Sequence, residues 1–239
     1  MAHIRAVQIN GLSGDALYRL HGCNSLLREP QTVYVSSSGD DNNGGFMLLC
    51  GMDSVTNAGV KGAIVRYNLS VNDGKSGLNI FDVTGSVSDS QIYNNTVYCG
   101  KNNVKLVNLS NYGNVTVKSS NNVFSNNIFY ANEGVAVSWG YGDSVTTPAF
   151  QNAAFKNNLF YNISEPVYEN MITVTGTISD DPKFANAGLE STGRETGEAY
   201  KVNNSSILNG GAVISNNGGK DYFGNAVSAD STLIGAIAG

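Results

Sequence analysis

Asn121 to Trp139 reads NNVFSNNIFYANEGVAVSW. Within it the seven residues Phe124-Ser-Asn-Asn-Ile-Phe-Tyr130 recur as Ile92-Tyr-Asn-Asn-Thr-Val-Tyr98 and Phe155-Lys-Asn-Asn-Leu-Phe-Tyr161, and more loosely as Val65-Arg-Tyr-Asn-Leu-Ser-Val71. The second asparagine falls at 68, 95, 127 and 158, at spacings of 27, 32 and 31 residues. Self-similarity at a period of roughly 20 to 50 residues marks solenoids and arrays, whose units bury their apolar faces against one another. A second series keeps step with the first: Gly45-Phe-Met-Leu-Leu-Cys50, Gly77-Leu-Asn-Ile-Phe-Asp82, Val104-Lys-Leu-Val-Asn108, Val135-Ala-Val-Ser-Trp139 and Val167-Tyr-Glu-Asn-Met171. Phe46, Leu78, Val104, Val135 and Val167 align at spacings of 32, 26, 31 and 32. Leu48, Ile80, Leu106 and Val137 follow two residues later, the period of a strand with one buried face. Glu169 breaks that pattern, so the last coil is irregular or the core ends there.

Strands this short, with no two-residue Asn-Gly or Asp-Gly link between partners, do not read as hairpins. Stacking each on its counterpart about 30 residues later gives parallel pairing at about 4.8 Å per coil. The expectation is an all-β fold, a right-handed single-stranded parallel β-helix (solenoid) of about five to seven coils, with handedness taken from the bias of parallel crossovers. Residues 1–32 lack the repeat. There Ser13-Gly-Asp-Ala-Leu-Tyr-Arg-Leu20, with a capping serine and apolar residues at 16, 17 and 20, predicts a short N-terminal helix that covers the first coil. Residues 33–179 then carry the repeats and 180–239 form a closing segment. The Asn-Asn pair is expected at a corner, because asparagine tolerates left-handed backbone, and stacked asparagines form hydrogen-bonded ladders.

Charged residues make up 14% of the chain against a usual ~25%, which suits many short strands and tight corners. The net charge of −5 argues against nucleic acid as a partner, since that requires a basic face. Cys23, Cys50 and Cys99 have no metal-like spacing and read as small buried hydrophobes. His3 and His21 lie in the unrepeated segment, also without ligand spacing. There is no P-loop, nucleophile elbow or dinucleotide fingerprint. The opening MAHIRAVQINGL has no apolar run followed by a small-residue cleavage site, and no apolar stretch approaches ~20 residues. The expectation is no membrane span, and either an internal protein or a mature or truncated piece of an exported one. The sequence does not set the oligomeric state.

The tail carries Asp181-Pro-Lys-Phe184, Tyr200-Lys-Val-Asn-Asn-Ser-Ser-Ile-Leu-Asn-Gly210, Gly218-Gly-Lys-Asp-Tyr-Phe-Gly-Asn225 and Leu233-Ile-Gly-Ala236. With RYNLSVNDG and IYNNTVY, these resemble the C-terminal portion of bacterial secreted right-handed parallel β-helix repeat proteins of the pectate-lyase-like superfamily, over about Gly44 to Gly239. Ile207 stands where that group usually has proline, and the chain stops right after IGAIAG. The resemblance implies a secreted, extracellular protein and polysaccharide as the partner. The group includes polysaccharide lyases and glycoside hydrolases as well as members without assigned activity, so fold analogy supplies no reaction.

Candidate chemistry concentrates in the early coils. Hydrolysis needs two carboxylates about 5 to 10 Å apart, and lyase chemistry needs a base with a cation to neutralise a uronate. Asp41 and Asp73 precede corresponding strands by five residues and should be neighbours one coil apart, with Lys75, Asp82 and Arg66 on the same coils. These five are the candidate catalytic residues. Asp40, Asp41 and Asp73 are candidate ligands for Ca²⁺, because stacked carboxylates repel unless a cation joins them. The competing reading makes Asp41 and Asp73 ordinary turn residues. Trp139, Tyr98 and Tyr130 are candidate sugar-stacking residues, although Tyr98, Tyr130 and Tyr161 read most simply as packing and Trp139 would equally fill a gap beneath a loop. Two functions stay open, a polysaccharide lyase or glycoside hydrolase and a non-catalytic binding, adhesive or structural module.

Overall fold

The computed structural model describes residues 3–10, 17–19, 31–37, 46–51, 60–74, 79–110, 118–142, 150–190 and 194–238. Each coil repeats the same succession of four strands. The first coil has Val60–Lys61, Ile64–Arg66, Leu69–Val71 and Asn79–Gly85; the second has Val87–Ser88, Gln91–Tyr93, Thr96–Cys99 and Val104–Ser110. The third has Ser119–Ser120, Val123–Ser125, Ile128–Ala131 and Val137–Gly140. The fourth has Phe150–Gln151, Ala153–Lys156 and Leu159–Tyr161, after which Ile172–Thr175 adds a last strand beside Ala153–Lys156. Equivalent strands pair in parallel from coil to coil, giving four stacked sheets. We number them first to fourth by their order within a coil and call the fourth the long sheet. Met47–Gly51 extends the long sheet ahead of the first coil. The protein is a parallel β-solenoid of about four to five coils.

The amino-terminal end is closed differently from expectation. His3–Asn10 runs antiparallel to Gln31–Ser37 and to Ile64–Arg66. Leu17–Arg19, assigned above to a helix, is a strand antiparallel to Met47–Gly51. A strand laid on a sheet edge satisfies that edge's backbone groups, which a helix cannot do. The rest of the expected helix, residues 13–16 and 20, lies outside the described residues.

The corners explain why asparagine recurs. Between the second and third sheets the chain turns through one residue in left-handed backbone: Tyr67, Asn94, Asn126 and Asn157, with φ of 52, 50, 53 and 51°. The residue after it points inward. That residue is the ladder asparagine, and all four are buried. Asn95 Oδ1 accepts from the backbone N–H of Asn68 (3.1 Å) and from its Nδ2 (2.8 Å). Asn127 Oδ1 accepts likewise from Asn95 (3.0 and 2.9 Å), and Asn158 Oδ1 from Asn127 (3.0 and 2.9 Å). Each Nδ2 also reaches back to a carbonyl of the preceding coil, Asn95 to Val65, Asn127 to Ile92 and Asn158 to Phe124. The ladder expected along one edge is therefore present, but inside it. A second corner, between the first and second sheets, uses Gly62, Asp89, Asn121 and Asn152, again all left-handed.

Inside, aromatic rings stack along the axis. Phe124 lies on Phe155 with centroids 4.6 Å apart, and Phe129 on Phe160 at 5.4 Å. The long sheet departs from the aligned series. Met47 pairs with Phe81 and Val104 with Val137, so Phe46 aligns with Ile80 rather than Leu78, and Val135 precedes the strand. A slip of two residues keeps every side chain on its face, so hydrophobic pattern does not detect it. Val167 was expected inside and is 76% exposed, because residues 163–171 leave the sheet and cross the end of the core.

Between the second and third coils the register also shifts by one: Lys105 pairs with Ser138 but Asn108 with Gly140. Leu106 and Val107 thus face the single residue Trp139. One indole takes the place of two aliphatic side chains in the core and turns Gly140, not Trp139, outward beside Asn108.

After the last strand the chain runs back along the flank of the solenoid. Phe184 packs on Tyr130 and Tyr200, and Ile207 of the short helix Ser205–Leu208 joins Ile128, Leu159 and Ile234. Further along, Gly235 N–H donates to Asn126 O, and Asn94 Nδ2 donates to Leu233 O at 2.6 Å. Asp221 organises the GGKDYFGN turn by accepting from the N–H groups of Phe223, Asn225 and Ala238 and from Asn225 Nδ2.

Replacing Asn127 by alanine removes the partners of the Asn95 N–H and the Ile92 carbonyl and one of the two donors to Asn158 Oδ1, and is expected to cost about 3 kcal/mol or more. Asn68→Ala should cost clearly less, because among the described residues Asn68 Oδ1 has no partner to lose. Thermal unfolding midpoints of the two variants check the order.

Candidate functional site

The closing segment covers the outward side of the second and third sheets, leaving the long sheet and the first sheet, with its Lys61–Asp89–Asn121–Asn152 corner, as polar faces. The outward side chains of the long sheet are Asn79, Asp82 and Thr84 on the first coil, Lys105, Asn108 and Ser110 on the second, and Ser138 and Gly140 on the third. They are linked across coils. Asn79 Nδ2 donates to Asp82 Oδ2 (2.9 Å) and Asn108 Nδ2 to Asp82 Oδ1 (3.0 Å). Asn108 Nδ2 also donates to Ser110 Oγ (3.0 Å), whose hydroxyl donates to Thr84 Oγ1 (2.9 Å). Thr84 and Ser110 are buried, whereas Asn79, Asp82, Lys105 and Asn108 are half-buried. Gly140 continues the Asp82–Asn108 row, and any side chain there would run into Asn108 Oδ1 and the Lys105 stem. The result is a row of amides and hydroxyls around one carboxylate, with the Lys105 stem packed against Gly140 at its third-coil end. Residues 52–59, 111–117 and 143–149, which link the long sheet to the first sheet of the next coil, lie outside the described residues.

Of the sequence-derived catalytic candidates, the described ones, Arg66, Asp73 and Asp82, lie on different sides of the coil. Asp82 is on this row. Arg66 projects from the second sheet beneath the closing segment, where its Nη1 donates to Tyr93 Oη (2.9 Å) and Asn216 O (3.2 Å). Gly218, at φ 86°, passes so close to that guanidinium that no side chain would fit. Asp73 is buried in the turn after the third sheet, and its Oδ2 accepts from Ser70 Oγ at 2.6 Å. Nearby, Glu190 of the closing segment accepts from Asn72 Nδ2 and pairs with Lys101 at 2.7 Å. Asp40, Asp41 and Lys75 lie outside the described residues. Among the described residues, no group of three or more His, Cys, Asp or Glu is placed to share a cation. No helix there is long and apolar enough to cross a membrane.

The aromatic candidates are engaged within the protein. Tyr98, Tyr130 and Tyr161 stack at 5.2 and 4.8 Å, but Tyr98 is only 3% exposed under Tyr200, and Phe184 leans on Tyr130. A sugar would have to displace the closing segment to reach Tyr98. Trp139 is half-buried edge-on to Phe155 and Phe160, and its Nε1 donates to Ser164 O (2.9 Å). It fills the space beneath the segment that crosses the core's end.

The row of Asn108, Ser110, Thr84 and Gly140 was missed from the sequence. The available signal was the match of Asp82 with Asn108 and of Thr84 with Ser110 at the 26-residue spacing of Leu78 and Val104, which the structure retains; only Gly140 was hidden, by the slip at Val135. Compared with known proteins, the chain matches no family model and no curated protein.

Burial, the largest influence on each, raises the phenols of Tyr67, Tyr93, Tyr130 and Tyr141, Tyr67 to about 12. Burial likewise pushes the Cys99 thiol up to about 12. These groups stay neutral when folded but ionise in the unfolded chain from about pH 9 to 10. Stability should therefore be complete below that range and decline as pH rises toward 12. Denaturation midpoints at rising pH, with phenolate absorbance, test this. A subset of tyrosines should titrate only as the fold is lost.

Proposed function

We propose that the protein is a secreted, carbohydrate-associated β-solenoid that holds an extended polysaccharide across the outward face of its long sheet, as a binding module rather than a cleaving one. The observation that supports this most is the cross-coil row of Asn79, Asp82, Asn108, Ser110 and Thr84, with Asn108 and Lys105 packed against Gly140. Amides and hydroxyls on a regular spacing suit the hydroxyls of a polymer lying along the sheet. Secretion rests on the tail motifs and their resemblance. The described part of the row has a single carboxylate, whereas hydrolysis calls for two. A lyase acting on uronates is the second reading, because Lys105 on the outward face of the same sheet offers the cation that a uronate carboxylate requires. Ca²⁺ held by Asp40, Asp41 and Asp73 belongs to that second reading.

Affinity electrophoresis through a panel of plant, algal and animal polysaccharides, with and without Ca²⁺, tests both. Retention on at least one polymer is expected, weakened about tenfold or more by Gly140→Gln and by Asp82→Ala. Ultraviolet-absorbing unsaturated products would replace binding with a lyase, and new reducing ends without that absorbance with a hydrolase. Neither retention nor products on any polymer would overturn the carbohydrate reading.

A further inference from the structure

The second sheet ends at Ile172–Thr175, and among the described residues no strand pairs with its far side. Ala153 N–H donates to Met171 O (2.9 Å) and Asn157 N–H to Thr175 O (2.8 Å). Odd-numbered residues therefore turn their backbone groups toward Ala153–Lys156, and Ile172 and Val174 turn theirs away, as alternation in a parallel ladder requires. Of the groups facing away, the Ile172 N–H is taken by Tyr168 O at 3.1 Å. The closing segment does not finish this end. It runs back along the flank as far as the first coil, where Asn216 O meets Arg66.

The surroundings match an interface more than a solvent edge. Val174 aligns with Phe155 and Ile172 with Ala153, yet both are only half-buried where their counterparts are buried. Val167, on the segment that crosses this same end, is 76% exposed. From Ile172 to Ile178 the sequence is ITVTGTI, with no charge and no proline. Those are the features by which natural sheet edges avoid pairing with other chains.

We propose that a second copy of this chain docks here, its Ile172–Thr175 pairing antiparallel with the first about a two-fold axis at Val174. The strand is complementary to itself. With the axis on Val174, that residue exchanges its N–H and C=O with its mate, Thr173 meets Thr175 on the outer face, and the two valines meet on the inner face. The two crossing segments at the core ends then meet and cover Val167. An axis placed between two residues would set inward side chains opposite outward ones, so the register is determined by the pleat.

Sedimentation equilibrium across the micromolar range tests this on the whole chain. The wild type should shift toward twice the monomer mass as concentration rises. Val174→Pro, which removes the N–H on the axis, and Thr173→Lys, which sets like charges on both copies, should each weaken association at least tenfold. Circular dichroism should stay unchanged. If proline at 174 impairs folding, Thr173→Lys alone decides. A wild type that stays monomeric throughout, or association that survives Thr173→Lys in folded protein, overturns the proposal.

Discussion

The fold depends on turning a chain sharply inside a dry core without abandoning its backbone groups. A corner between two three-residue strands leaves amides and carbonyls that cannot reach the sheet ladders, and orphaning each one in the interior costs on the order of 1–3 kcal/mol. Asparagine answers because its side chain carries an acceptor and two donors at the reach of a peptide group. In Asn95, Asn127 and Asn158 the Oδ1 takes the corner N–H and the amide of the preceding coil's asparagine, while each Nδ2 satisfies a carbonyl behind it. The spacing between coils is thus set by side-chain amides as well as by strands. The left-handed residue beside each ladder position is asparagine in three coils and Tyr67 in the first. Tyr67 accepts that backbone where its ring packs among Tyr93, Val227 and Leu233.

Once the corners hold, the outward surfaces take separate roles. The sides next to the ladder carry Tyr93, Tyr98, Thr96 and Ile128, and the closing segment lies over them. Its own polar turns are satisfied internally, as by Asp221, or by the solenoid, as where Ala236 N–H donates to Thr96 Oγ1 at 2.9 Å. That covering removes Arg66 and Tyr98 from solvent and gives both a structural partner. The long sheet differs. Its strands reach seven residues, its outward positions are small and polar, and their hydrogen bonds run from coil to coil. A polymer-binding face needs that repetition along one axis, which this sheet offers, as does the exposed Asp89–Asn121–Asn152 corner.

The sequence by itself determined the solenoid. The recurrence of Asn68, Asn95, Asn127 and Asn158 at about one coil's length, with apolar alternation between, admits parallel stacking and excludes hairpins, because each residue type answers a local demand. The asparagine ladder and the tyrosine stack follow from it directly, although the ladder's place inside the corner does not. Tertiary structure decided the rest. Whether Phe46 aligns with Leu78 or Ile80 was invisible in the pattern, since a two-residue slip leaves inward and outward faces unchanged. The one-residue mismatch opposite Trp139 depends on an indole filling the volume of two aliphatic side chains, a matter of packing among three coils. Where the closing segment lies decided the fate of the site residues. Arg66, Asp73 and Asp82 are close in sequence, but the coil turns between them, so chain proximity places them on different sides while residues from separate coils, Asp82 and Asn108, become neighbours.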